Sequence, residues 1–451
     1  MNFSDIKNIH FVGIGGIGMS GLAEVLAGSG VAVSGCDLKR SPSTDLLQSR
    51  GINVKIGHDP AHVRKDVDLV VITSAVKGEH SEVDAARIAG VRIMKRSELL
   101  GVLVNSHRGI GVAGTHGKTT TSAMISVVLE EAGLDPTILV GGMIRNLGTN
   151  AKNGTGDLLV VEADEYDRTF HQLRPEIAVV TNIEADHLEY YGSFEAIMQS
   201  FRTFLDGVKE DGVIVGCIDD PPVAEVLGNA SHRIVTYGLS AGAAVRARNV
   251  EFSERGSTFE VEGVGFFKLF VPGEHNVRNA LAAIAVGREA GIDGELIASA
   301  LAKFLGVDRR FQILGNYRGA IVVDDYAHHP TEIRATLEAA RGGYPSRRIV
   351  ALFQPHLYSR TKDFAREFGE ALRIADVALV SPIYAAREKP VEGVSSRIVA
   401  EAVKGVEFLD RSNAEIVNEM RRRLSPNDVF IVMGAGDVHE IAEQLVRGEI
   451  A

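Results

Sequence analysis

The 451-residue sequence has no tryptophan, only two cysteines, and no run of lysine and arginine. Cys36 and Cys217 lie far apart in the chain, which excludes a disulfide framework and a cysteine-rich metal site and suits a reducing, cytoplasmic compartment. Acidic residues outnumber basic ones by 59 to 48, for a net charge of -11, so no electrostatic footprint for nucleic acid is present. Long apolar spans are also missing. Phe11 to Cys36 carries one charge, Glu24, but its glycines mark a strand-to-helix turn, and no basic segment with a small-residue cleavage pattern frames it. Membrane insertion is therefore not expected, and the oligomeric state is left open.

A chain of this length exceeds one hydrophobic core, so two or three domains are expected. Short apolar runs alternate with helical patterns, which predicts an α/β fold of helix-covered parallel sheets. The alternation restarts at "RGIGVAGTHGKTTTSAMISVVLEEAG" and again after "GVDRRFQ", with hairpin-like alternation over "STFEVEG" and "GFFKLFVPG" between them. Boundaries near residues 106 and 313 give domains 1–106, 107–313 and 314–451. Each reads as a strand-helix series, the central one with a smaller antiparallel sheet added.

The glycines of "HFVGIGGIGMSGLAEVL", Gly13, Gly15 and Gly18, follow an apolar run, and Asp37 comes about 20 residues later. That pattern suits a dinucleotide, but its physics, a diphosphate approaching a strand-helix turn, serves a nucleotide-sugar equally well. In "GTHGKTT", backbone N–H groups of Gly114, Thr115, His116 and Gly117 can wrap phosphate oxygens. Lys118 can add a point charge near the terminal phosphates, and Thr119, followed by Thr120, can offer its hydroxyl to Mg2+. The strict P-loop pattern would need glycine at Val112, whereas this sequence has it at Gly114.

"VVEADEYDRTF" ends a strand with Glu162, the best placed carboxylate for Mg2+, while Asp164, Glu165 and Asp167 are open between cation binding and a capping or solvent-facing place. "VVTNIEADH" brings Asn182, Glu184, Asp186 and His187 to another strand end. Asn276 and Asn279 share a helix face, and Arg310 lies in the expected hinge. In the last third, "DDYAHHP" and "FQPHLYSRT" carry Asp325, His328, His329, His356 and Arg360. No H-E-x-x-H accompanies them, so substrate or nucleotide contacts read better than zinc, and Arg360 suits a carboxylate.

Taken in order, "GIGGIGMSGLAEVL", "AGTHGKTTT", "EADEYDRTF", "NIEADH", "GEHNVRNA", "GVDRRFQ", "DDYAHHPTEI" and "FQPHLYSRT" resemble the Mur ligase family across nearly the whole chain. The resemblance implies three domains, a Rossmann-like N-terminal one, a central P-loop ATPase domain with a mixed sheet plus a small antiparallel sheet, and a Rossmann-like C-terminal one. It also implies ATP-dependent amide-bond formation in bacterial cell-wall peptidoglycan synthesis, with Mg2+ as two ions. The alanine-adding branch fits best, which implies UDP-N-acetylmuramate and L-alanine as small-molecule substrates.

By position, Lys118 would contact the ATP phosphates and an acyl-phosphate, Thr119 and Glu162 one Mg2+, and His187 a second. Asn276 and Asn279 match contacts to the adenine side of ATP, and Arg310 and Asp325 match residues near the phosphates and nucleotide. His356 and Arg360 match contacts to the amino acid. Gly15, Gly16, Ile17, Gly18, Ser20, Asp37 and Ser74 would hold the UDP-sugar.

The sequence departs from the family pattern at Leu357, where many relatives have arginine. No lysine occurs between His187 and Lys209, so the carbamylated lysine of related ligases is expected to be absent. Competing readings are a salvage ligase acting on a ready-made tripeptide, an NAD-dependent dehydrogenase and a P-loop switch. The dehydrogenase leaves the phosphate loop without a purpose, and the switch leaves the C-terminal histidines and Arg360 without one.

Overall fold

A computed structural model describes residues 6–73, 76, 79–254, 256–386 and 388–450. Three sheets organise it. The first comprises β1 (Asn8–Val12), β2 (Ala32–Asp37), β3 (Asn53–Ile56), β4 (Leu69–Ile72) and β5 (Arg92–Lys95), all parallel, in the order β3-β2-β1-β4-β5. Strand order reverses beside β1, the position at which open parallel sheets bind ligands. The helix Ile17–Gly28 follows β1 and starts ahead of Ser20, because Gly16 is extended and its carbonyl already accepts from Ser20 N at 2.8 Å.

The second sheet contains β6 (Arg108–Ala113), β7 (Thr137–Ile144), β8 (Thr149–Lys152), β9 (Leu158–Glu162), β10 (Ile177–Val180), β11 (Val213–Cys217), β12 (Arg233–Gly238), β13 (Val245–Ser253), β14 (Gly256–Val261) and β15 (Gly265–Leu269). Its order is β15-β14-β13-β12-β11-β10-β6-β9-β7-β8, and the β7–β8 pair is antiparallel while β6 runs parallel to both its neighbours. The third sheet contains β16 (Gln312–Tyr317), β17 (Ala320–Asp325), β18 (Arg348–Phe353), β19 (Val377–Val380), β20 (Val406–Phe408) and β21 (Asp428–Met433). Its order is β16-β17-β21-β18-β19-β20, with only the edge strand β16 antiparallel to its neighbour.

Contacts divide the chain into two compact units. One comprises Met1–Arg248, Val261–Gly265 and Arg278–Leu301; the other comprises Asn249–Glu260, Phe266–Val277 and Ala302–Ala451. Within the first unit, the helix Ile17–Gly28 lies against the β7–β8 hairpin. A Cβ on Gly21 would sit 3.3 Å from Ala151 Cβ, and Thr149 Oγ1 donates to Glu24 Oε1 at 3.4 Å. Met19, Leu22, Val25 and Leu26 are buried in a core that also takes Leu139 and Ala151, each large side chain contributing about 1.5–3 kcal/mol. This shared core fixes the first glycine turn relative to the end of β9. Among the described residues, no helix is long and apolar enough to cross a membrane.

Candidate active site

After β6 the chain turns through Gly114–Gly117 into the helix Lys118–Glu131. Gly114 has φ 138° and a Cβ there would lie 2.0 Å from Thr181 Oγ1. Gly117 has φ 82° and its Cβ would lie 2.7 Å from Asn279 Oδ1. Both the handedness and the space therefore require glycine.

The turn is bound to the end of β10. Thr115 N donates to the Asn182 carbonyl at 3.0 Å and His116 N to Asn182 Oδ1 at 2.8 Å. Thr181 Oγ1 and Asn182 Nδ2 donate to the His116 carbonyl at 2.6 and 3.0 Å, and Glu184 N donates to Thr115 Oγ1 at 2.8 Å. The polar cluster after β10 thus braces the turn. The first helical N–H groups, at Lys118, Thr119 and Thr120, have no carbonyl within the helix to bond, and the dipole makes this end attractive to anions.

Lys118 Nζ donates to Glu165 Oε2 and Oε1 at 2.8 and 3.0 Å and to the Thr115 carbonyl at 3.1 Å, and it also bonds the Gly114 carbonyl. Burial works against charge on Lys118, but Glu165, with Asp164 and Glu162 beyond it, holds the ammonium above its ordinary pKa. Glu165 itself is 5% exposed, and although it stands at the N-cap position of the 3-10 segment Tyr166–Gln172 its side chain makes no capping hydrogen bond. The chain bends just after it, where Asp167 and Arg168 adopt φ 54° and 53°, a local geometry that hydrophobic patterning does not encode.

Glu162, at the end of β9, accepts from Gly141 N and lines a cleft of about 360 Å³ that Asp164 also borders. Gly16, Ile17, Gly18 and Arg96 line the same cleft. Part of the turn expected to grip a nucleotide-sugar and Glu162, the carboxylate expected to hold Mg2+, therefore share one opening. Gly15 N donates to Asp37 Oδ2 at 2.8 Å, so Asp37 shapes the glycine turn directly. Ser20 Oγ donates to the Ile17 carbonyl at 3.0 Å. Ser74 lies outside the described residues. Arg96, which the motif reading missed, adds a cation: its Nη1 would be 2.9 Å from a Cβ on Gly18. Its only sequence signal is a basic residue opening a helix after β5.

His187 is not among the residues lining that cleft; its Nε2 is 3.8 Å from Asp186 Oδ2 and its ring 4.9 Å from that of Tyr166. Asn279 accepts from Thr121 Oγ1 at 3.1 Å, so in this unit it supports the helix after the phosphate turn.

The other unit gathers a second set of expected residues. Asn276 Nδ2 donates to the Pro272 carbonyl at 2.7 Å. Asp325, at the end of β17, is buried and accepts from Phe311 N and Ala327 N at 2.8 and 2.7 Å; burial raises its pKa to about 6, with Arg310 opposing. Arg310 lies over the Tyr326 ring at 5.3 Å and 3.5 Å from Glu332 Oε1. His328 is pushed down to about 4 by burial, with Glu332 opposing and Arg360 reinforcing the shift. Its ring is 6.0 Å from that of His356, which stacks on Tyr384 at 6.0 Å. Leu357, at the departure from the family pattern, holds φ 70° and donates its N–H to the Tyr384 carbonyl at 3.0 Å.

A glycine-hinged turn after a strand with parallel neighbours, with a largely buried lysine and strand-end carboxylates beside it, is the arrangement of a P-loop α/β protein. The sequence matches the descriptions "Mur ligase family, catalytic domain" over residues 8–108, "Mur ligase middle domain" over 112–287 and "Mur ligase, glutamate ligase domain" over 309–436. It is 45% identical to the UDP-N-acetylmuramate--L-alanine ligase of Salinibacter ruber, covering 98% of this chain and 95% of that one. Against the enzyme of the same name from Desulforamulus reducens the identity is 44%, covering 98% and 97%.

Among solved structures, UDP-N-acetylmuramate-alanine ligase MurC from Thermotoga maritima is similar, with a TM-score of 0.83 and 31% identity over 99% of both chains. A murein peptide ligase from Psychrobacter arcticus has a TM-score of 0.73 and 25% identity over 98% of both. The chain belongs to the Mur ligase family. Members of that family are ATP-dependent ligases.

Proposed function

We propose that this chain joins L-alanine to the lactyl carboxylate of UDP-N-acetylmuramate while ATP becomes ADP and phosphate, a step in peptidoglycan precursor synthesis. The observation that carries the reading is the cleft lined by both the first glycine turn and Glu162, close to the Lys118 phosphate turn. Whole-chain relatives named for this reaction support it. We assign residues 1–106 to the UDP-sugar, 107–313 to ATP and 314–451 to completion of the ligase site.

In the first step a lactyl carboxylate oxygen attacks the γ-phosphorus and the bond to ADP breaks, leaving an acyl-phosphate. Lys118 balances the charge gathering on the transferred group, exchanging its Glu165 contact for phosphate oxygens, and the amides of Gly114–Thr120 hold the polyphosphate. In the second step the alanine amine attacks the acyl carbon, loses a proton and expels phosphate. Arg310 and Asp325 are assigned to the nucleotide and phosphates, Asn276 and Asn279 to the adenine side, and His356 and Arg360 to the amino acid, whose carboxylate a guanidinium recognises in bidentate fashion.

Thr119 and Glu162 offer oxygen donors beside the phosphate turn, the donor type that fits a hard divalent cation, and His187 is assigned to a second ion. Bound there, Mg2+ would neutralise phosphate charge. The test is product mass: with ATP and L-alanine, UDP-N-acetylmuramate should gain one alanyl residue. No gain with any amino acid, with ATP left intact, would overturn the reading.

A further inference from the structure

The first sheet carries a cluster of side chains to which the proposed ligation gives no task. His10 on β1, Cys36 near the end of β2, His58 just after β3, and His80 and Glu82 at the start of the helix Ser81–Ile88 form two overlapping groups, His10 with Cys36 and His58 with His80, that share Glu82. Cys36 Sγ is 2.7 Å from Glu82 Oε2 and 3.1 Å from His58 Nδ1. The same Glu82 oxygen is 3.4 Å from His58 Nδ1 and 3.9 Å from His10 Nε2. Glu82 Oε1 meets His62 Nδ1 at 2.6 Å. His10, Cys36 and Glu82 are buried at 1%, 0% and 0% exposure.

Hydrogen bonding alone accounts for part of this cluster. A neutral Cys36 thiol can donate to Glu82, and His62 can hold the other carboxylate oxygen. It leaves His10 Nε2 with no partner nearer than Glu82 Oε2 at 3.9 Å, and His80 Nδ1 buried without a hydrogen-bond partner, although buried polar atoms are nearly always satisfied. His10 Nδ1 is already engaged with Ser34 Oγ at 3.0 Å, which fixes the ring with Nε2 toward Glu82. Holding a metal-binding imidazole through its other nitrogen in this way is the usual arrangement around transition metals.

One spacing points the same way. With metal–sulfur bonds of about 2.3 Å and metal–nitrogen bonds of about 2.0–2.1 Å, tetrahedral donors lie roughly 3.3–3.6 Å apart. His58 Nδ1 meets that range at 3.4 Å from Glu82 Oε2, whereas His10 Nε2 at 3.9 Å lies beyond it and Cys36 Sγ at 2.7 Å is closer, the spacing of a thiol hydrogen bond that a bound ion would replace.

We propose that Cys36, His58, Glu82 and His10 form a binding site for a zinc-class transition-metal ion, with His62 orienting Glu82 and His80 beside His58. A thiolate and two imidazoles select such an ion over Mg2+, so this site is distinct in kind from the oxygen-donor site at Thr119 and Glu162. The ion ties together β1, β2, the segment after β3 and the start of the helix Ser81–Ile88. It also abuts the first glycine turn, because the Cys36 carbonyl accepts from both Gly13 N and Ile14 N at 2.9 Å. None of this depends on the ligase reading.

Cobalt(II) added to metal-stripped full-length protein tests the site through its thiolate-to-cobalt charge-transfer band, which oxygen-donor sites do not produce. We expect a band that saturates at one equivalent, is competed away by zinc but not by excess Mg2+, and is lost in Cys36→Ser. It should survive in Cys217→Ser, whose cysteine is buried in the second sheet. His10→Ala should weaken cobalt binding at least tenfold while keeping the band at high cobalt. Should Cys36→Ser fold poorly, the wild-type protein still decides: chelation should lower its thermal midpoint and zinc should restore it. Absence of the band in folded wild-type protein, or its persistence in Cys36→Ser, would leave a metal-free hydrogen-bond network and overturn the site.

Discussion

Lys118 and Glu165 form a buried pair, and removing one partner strands the other. Lys118→Ala should abolish amino-acid-dependent phosphate release and also destabilise the chain by about 3–5 kcal/mol, because the Glu165 carboxylate loses its counter-charge. Adding Glu165→Gln should recover much of that stability in urea unfolding without restoring turnover. Near-normal turnover in either variant would contradict the role given to Lys118. UDP-N-acetylmuramate binding, measured by calorimetry, should change little in the double variant.

In the other unit, two titrating groups pull in opposite directions. His328, held near 4 against an ordinary value of about 6.5, binds fewer protons folded than unfolded, so its contribution is present above about pH 6.5 and is lost on acidification toward 4. Asp325, raised to about 6, binds more protons folded, so its contribution is present below its unfolded pKa and is lost as pH rises toward 6. The wild-type protein should show partial cancellation. His328→Gln should relieve an acid penalty of roughly 2–3 kcal/mol and expose a decline in stability from about pH 4 to 6. Denaturant midpoints measured across that range check this, and parallel curves for the two proteins would count against it.

At the scale of elements, the first glycine turn couples packing to binding. A Cβ on Gly15 would sit 2.8 Å from Asp37 Oδ2 and 3.0 Å from Thr44 Cγ2, so Gly15→Val must displace Asp37 and lose the 2.8 Å bond from Gly15 N. We expect UDP-N-acetylmuramate affinity to fall at least tenfold in calorimetry while ATP binding at the second turn persists. Unchanged sugar-nucleotide affinity would sink the assignment of this turn.

Much of this scale was legible in the sequence, because strand, glycine turn and helix start are local patterns. "GTHGKTT" sits between β6 and its helix, and Glu162 ends β9, as the periodicity predicts. What escaped depends on distant chain segments. Glu165 meets Lys118 from 47 positions away, just before a left-handed bend at Asp167 and Arg168, and Asn279 abuts Gly117 from more than 150 positions away. The Cys36 cluster draws on positions 10 to 82 at no fixed spacing, so no metal-site pattern could reveal it.

At the scale of the whole molecule, the first two sheets share a core that places the nucleotide-sugar turn and the phosphate turn within one unit, while His356, Arg360 and Arg310 belong to the other. With no tryptophan in the chain, movement between the units has to be followed by introduced probes. The proposed chemistry requires all three substrates together, since ATP is consumed to activate a carboxylate that only the amine then captures.

The most direct test is therefore phosphate release from ATP with UDP-N-acetylmuramate, comparing L-alanine, serine, glycine and a ready-made tripeptide as acceptors. The account predicts release that requires the sugar nucleotide and is fastest with L-alanine. Release supported by the tripeptide but not by alanine, or independent of UDP-N-acetylmuramate, would contradict it.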